Sequence, residues 1–171
     1  MMRIETIIKQ YDFNLAYAQA LVEDVHEDKM TFVPSVGLEN HAAFTLGHLV
    51  SASAMLVEDL GGKFEMPENW EKLFIRKGPG DTTLPHPNKQ LYPSKEALLF
   101  ELEHQHEKVK RSLLSLNEAK LNEPFTWRFN RYFPSLLDLV VFMCLQHEAM
   151  HLGQLAAWRR AMGYTSALAT L

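Results

Sequence analysis

The sequence predicts an all-α fold: a four-helix bundle with one long crossover between its second and third helices. Three observations carry this. Apolar residues recur at helical spacing in four long segments. No segment shows the strict alternation of a half-buried strand. The stretch 61–93 holds five of the eight prolines, too many for a continuous helix. That stretch can cross the length of a bundle. Helices two and three can then run parallel, an up-down-down-up order, where short connections would force antiparallel neighbours. At 171 residues, one domain spanning 1–171 is expected.

The first helix is predicted over 4–28 from Ile4, Ile7, Ile8, Tyr11, Leu15, Ala18, Val22 and Val25, with Pro34 beyond its end. The second is predicted over 41–60, with Asn40 as N-cap and Gly61-Gly62 as stop. Its stripe is Leu46, Leu49, Ser53, Leu56 and Leu60. A short helix is expected over 68–74, inside a loop long enough to pack over the domain or carry function. The third helix opens at Ser94 and runs to 116, along Leu99, Leu102, His106, Val109, Leu113 and Leu116. The fourth runs from Ser135, with Asp138 at the capping-box position, to Met162 before Gly163. Its first half is apolar nearly all round, which predicts the most buried helix of the four.

Composition narrows the function. The formal net charge is −4, which disfavours nucleic-acid binding through phosphate contacts. The longest apolar run, 139–145, falls far short of the roughly 18 residues of a membrane span. Arg3 and Lys9 are followed too soon by acids for a secretory signal. The single cysteine, Cys144, excludes a disulfide framework and suits a reducing, cytoplasmic setting. Basic pairs such as Lys108 with Lys110 and Arg111, or Arg159 with Arg160, read as solvated helix surface.

Eight histidines are the unusual feature. The fourth helix carries His147-Glu148-Ala149-Met150-His151. Residues four apart share a helix face, so both imidazoles can converge on one divalent ion. Chance alone supplies roughly 0.4 such pairs in this composition, so context must decide. His147 and His151 are expected to continue the core stripe of Leu136, Val140 and Met143. Two unpaired imidazoles in a core are costly, and a shared metal satisfies both. His48, flanked by Gly47, Ser51 and Ala52 with room for an ion, is the best third ligand. Three histidines leave a position open for water or substrate, as in catalytic sites. His106 is a rival ligand, though a hydrogen-bonded core role suits it better. His26, His41, His86 and His104 read as surface or loop residues. Cys144 reads as a small buried hydrophobe. Glu148 points about 100° from His147, as a supporting or a surface acid. A His-Glu-x-x-His zinc protease is disfavoured, because no His, Asp or Glu follows residue 151 and no strand is evident.

The pattern resembles the DinB-like (DinB/YfiT) superfamily of metal-binding four-helix bundles over nearly the whole chain. The resemblance rests on Thr45-Leu46-Gly47-His48-Leu49, Trp70-Glu71-Lys72-Leu73-Phe74, Tyr92-Pro93-Ser94, His147 through Gln154, and Arg160-Ala161-Met162-Gly163. It implies His48, His147 and His151 as ligands of one divalent transition metal, zinc or nickel first, with iron or manganese as other choices. It implies Gln154 as a hydrogen-bonding neighbour of the site, and a homodimer. It also implies metal-dependent chemistry on a small molecule, such as S-transfer from a low-molecular-weight thiol. A metal-dependent hydrolase and a non-enzymatic bundle with a structural or sensing metal are the alternatives.

Overall fold

The computed structural model describes residues 4–78 and 80–171; Arg3 and Pro79 lie outside them. The described chain is a helical bundle with no strand, apart from an isolated bridge between Pro124 and Ser135. Its long elements are α1 (Ile4–Val22), α2 (Ala42–Asp59), α4 (Lys95–Ser115) and a composite fourth helix. The last is α6 (Leu136–Val141), a π-helical turn (Phe142–His147) and α7 (Glu148–Ala161). Two short helices, α3 (Trp70–Phe74) and α5 (Glu118–Leu121), lie in the connections.

Local chemistry explains most boundaries. Ser94 caps α4 by accepting from Ala97 N. Ser135 and Asp138 form the reciprocal capping box that opens α6. Gly61 and Gly163 follow their helices with φ of 88° and 85°, a left-handed turn that glycine adopts without a Cβ penalty. Two boundaries differ from the sequence expectation. Helix α1 ends at Val22, and 27–29 forms a separate 3-10 turn. Val25 nevertheless stays buried, so its apolar spacing reflected burial rather than helix. The cap of α2 is His41, whose Nδ1 accepts from Phe44 N at 3.1 Å, not Asn40. His41 is therefore buried, not a surface residue, with its ring edge-on to Tyr92 at 4.7 Å.

The core has two apolar halves. One joins Ala18–Val25 of the α1 end, Ala42–Val50, Leu98, Leu102, Leu152, Leu155 and Trp158. The other joins Ile7, Tyr11, Leu56–Leu60, Val109, Leu113, Leu136, Leu139, Val140 and Cys144. The first half thus takes the start of α2 and of α4, and the second takes the end of each. These two helices run in the same direction, with α1 and the fourth helix opposed to both.

The most buried helix is α2, not the fourth. Its alanines, serines and Gly47 let neighbours approach over most of its surface, whereas Leu137, Val141 and Leu145 of the fourth helix pack at the margin of the core and are only partly covered. Arg159 is also buried, contrary to a solvated reading. It reaches Leu21 O, Thr165 O and the carboxylate of Asp24, tying the end of α7 to the end of α1. Among the described residues, no helix is long and apolar enough to cross a membrane.

A candidate metal centre beside a buried polar layer

Between the two apolar halves lies a polar layer. Tyr11 and Ser53 share a hydrogen bond of 2.9 Å. The His106 ring stacks on Tyr11 at 3.7 Å and 7°, and its Nε2 shares a 2.8 Å hydrogen bond with Glu148 Oε1. Asn14 Nδ2 donates to Cys144 O. His106 is thus a paired core histidine. Glu148 is no surface acid: it is 3 % exposed. Burial raises its carboxyl above the ordinary range, and His106 partly offsets this.

The π-helical turn sets this arrangement. A wider turn absorbs one extra residue. The core face of the fourth helix therefore steps by fours, through Leu136, Val140, Cys144, Glu148 and Leu152, all buried. An ideal helix would drift about 40° per such step. The consequence is a correction. His147 and His151 do not continue the core stripe with Met143. They sit one residue earlier, half-buried on its flank, and Glu148 takes the core position.

On that flank the three expected histidines meet. One nitrogen each from His48, His147 and His151 lies within 4.8 Å of the others. Ring centroids of His48 and His151, and of His147 and His151, are each 4.6 Å apart; His48 and His147 are at 5.4 Å. His48 Nδ1 donates to Phe74 O at 2.9 Å. That bond fixes the tautomer and leaves the Nε2 lone pair for a ligand. Its backbone is braced as well, because Ser51 Oγ donates to His48 O.

The space beside Gly47 is not a vacancy for an ion. A Cβ there would fall 2.3 Å from the Phe74 ring, so Gly47 exists to admit α3 against α2. This close approach delivers the Phe74 carbonyl to His48. The crossover helix is thereby part of the site.

Burial pushes all three imidazoles toward the neutral form. His48 is lowered, and His147 is lowered to about 4 by burial and then by His48. His151 falls to about 3, from burial first and then from His48 and His147, while a hydrogen bond with Gln154 opposes the shift. Neutral imidazoles keep their lone pairs, as a metal requires. His147 Nδ1 is buried without a hydrogen-bond partner. Three neutral imidazoles, one with its tautomer fixed, fit a divalent transition ion. Among the described residues, no fourth His, Cys, Asp or Glu joins the group. Cys144 is fully buried, with a thiol raised well above its ordinary pKa by burial and then by Glu148, and it stands outside the group. His26, His86 and His104 are exposed, as expected.

Sequence reasoning missed three residues here. The steps of four through Cys144 and Glu148 were a visible signal for the buried acid. The cap role of His41 had only its place before α2. Arg76, whose guanidinium lies 4.2 Å over the Phe44 ring, carried no pattern.

The profile of the DinB superfamily matches residues 10–155. A crystal structure of a conserved protein from Enterococcus faecalis is similar in fold, with a TM-score of 0.73 over 95 % of this chain and 99 % of that one, at 16 % identity. No curated protein matches the chain.

Proposed function

The chain belongs to the DinB superfamily, and on that footing we propose that it is a metal-dependent enzyme acting on a small molecule by thiol S-transfer. His48, His147 and His151 hold one divalent transition ion, zinc or nickel first. The observation that carries this reading is the convergence of three neutral imidazoles, with no fourth protein ligand among the described residues. A purely structural site would ask for four.

The ion, when bound, would supply the positive charge that holds a thiol as thiolate near neutral pH. The chain's own residues do the rest. His48 is oriented by the Phe74 carbonyl. Gln154 steadies His151 from the outer side. The polar layer behind Glu148 is closed to solvent, so it holds the helix carrying two ligands without offering a competing base to the open side.

Elemental analysis of tag-free protein, followed by an anaerobic screen in which a low-molecular-weight thiol is consumed only together with a small electrophile that accepts its sulfur, with and without the metal found, tests the proposal. Stoichiometric metal and metal-dependent thiol consumption are expected. Protein purified without chelator that holds no metal would defeat it. An ester substrate in the same screen separates hydrolysis, which would use the same open position.

A further inference from the structure

Beside the histidines lies a groove of about 260 Å³, lined by the 37–40 loop, the 81–84 loop, Arg76 and Gln154. Gln154, one turn beyond His151 and hydrogen-bonded to it, is part of the lining and links the groove to the histidines. Arg76 stands in its wall. The Arg76 side chain is held in place by its stack on Phe44 and by a long contact from Nη2 to Asn40 Oδ1 of 3.4 Å. The Phe44 ring in turn lies parallel to the His48 ring at 5.9 Å and 8°. Arg76, Phe44 and His48 therefore form one stack running from the groove to the histidines.

The acids nearby accept from backbone N–H groups, and Asp81 acts on Arg76 only through its charge, from beyond salt-bridge distance. Asp81 accepts from Lys77 N and Thr83 N at 2.9 and 2.8 Å. Glu39 accepts from Gly37 N at 2.9 Å. Arg76 has no carboxylate within salt-bridge distance among the described residues. Among the described residues, the half-buried Arg76 guanidinium makes one side-chain hydrogen bond, to Asn40, and burial works against its charge while Asp81 favours it. The guanidinium N–H donors form a planar fork that matches a carboxylate.

We infer that this groove takes a small molecule bearing a carboxylate, gripped by Arg76 while its other end reaches the three histidines. A monoanion suits the groove better than a phosphate dianion, because Asp81 and Glu39 also line it and there is one guanidinium rather than a cluster. The inference rests on the metal-site reading and names the substrate class for it.

The test uses the full chain loaded with cobalt(II) and two thiols of equal length, 3-mercaptopropionate and its amide. The thiolate-to-cobalt absorption band reports binding, with dissociation constants referred to the thiolate. The wild type should prefer the carboxylate by about tenfold. Arg76→Gln should bring the two constants within about twofold of each other, and Arg76→Lys should keep part of the preference. Equal binding of both thiols by the wild type overturns the inference without recourse to any variant. So does a preference that survives in Arg76→Gln, or stronger competition by inorganic phosphate than by 3-mercaptopropionate. Cobalt-loaded protein that gives no band with either thiol instead overturns the S-transfer reading, and this inference falls with it.

Discussion

His106 Nε2 and Glu148 Oε1 lie 2.8 Å apart in the middle of the bundle, with side chains 0 % and 4 % exposed. Glu148 directly follows His147, so the pair pins the helix that carries two of the three clustered histidines. Removing one partner from such a buried pair typically destabilises by about 3–5 kcal/mol, because the other is left without compensation. Glu148→Ala should therefore lower the urea midpoint strongly. Glu148→Gln keeps an oxygen acceptor for His106 and should lose less. Midpoints equal to the wild type in both variants would show that the pair does not hold the bundle.

Gly47 and Phe74 are coupled through sterics. Gly47→Ala places a methyl group 2.3 Å from the Phe74 ring. Overpacking of this kind costs about 1–3 kcal/mol. Because the Phe74 carbonyl orients His48, the same change should weaken metal affinity by about tenfold. Competition with a chromophoric chelator measures this. A variant with lower stability and unaltered affinity would uncouple α3 from the site.

Removal of any one clustered imidazole should abolish tight metal binding while the helices persist. His48→Ala, His147→Ala and His151→Ala are each expected to purify without stoichiometric metal and with a far-UV circular dichroism spectrum like the parent's. Gln154→Ala should bind metal about tenfold more weakly, since it acts on His151 from outside. Full metal occupancy in any of the three histidine variants removes that residue from the ligand set.

His41 makes stability depend on pH. Burial, then Lys89, lowers it from 6.5 to about 4, against a hydrogen bond with the Met30 backbone. The unfolded chain therefore binds the extra proton between pH 6.5 and 4 and the folded chain does not. Stability from this group is complete above pH 6.5 and is lost as pH falls toward 4. The loss at pH 5 is about 2 kcal/mol relative to pH 8. A protonated Nδ1 also cannot accept from Phe44 N, so the α2 cap is lost only as pH falls to about 4, where the folded His41 itself takes up the proton. Urea unfolding of the wild type and His41→Asn at both pH values checks this. The asparagine variant, which retains a cap, should show a smaller decline on acidification, and an equal decline would assign it to other groups.

Much of this was legible in the residues alone. Apolar spacing marked all four long helices, Ser94 and the Ser135–Asp138 box marked two starts, and Gly61 and Gly163 marked two ends. These signals are local: caps, turns and side-chain period act over one or two turns of chain, so sequence states them directly. The pair spacing of His147 and His151 is of the same kind.

What the chain did not state depends on elements distant in sequence. Phe74 fills the space at Gly47 and holds His48. His106 reaches Glu148 across 42 positions. Arg76 lies over Phe44 and beside the groove. The π-helical turn decided which of His147 and Glu148 enters the core, because one residue absorbed in a helix rotates everything after it. Local pattern fixed the helices and offered the histidines. Only packing between helices could decide which polar groups are paired inside and which are left facing the groove.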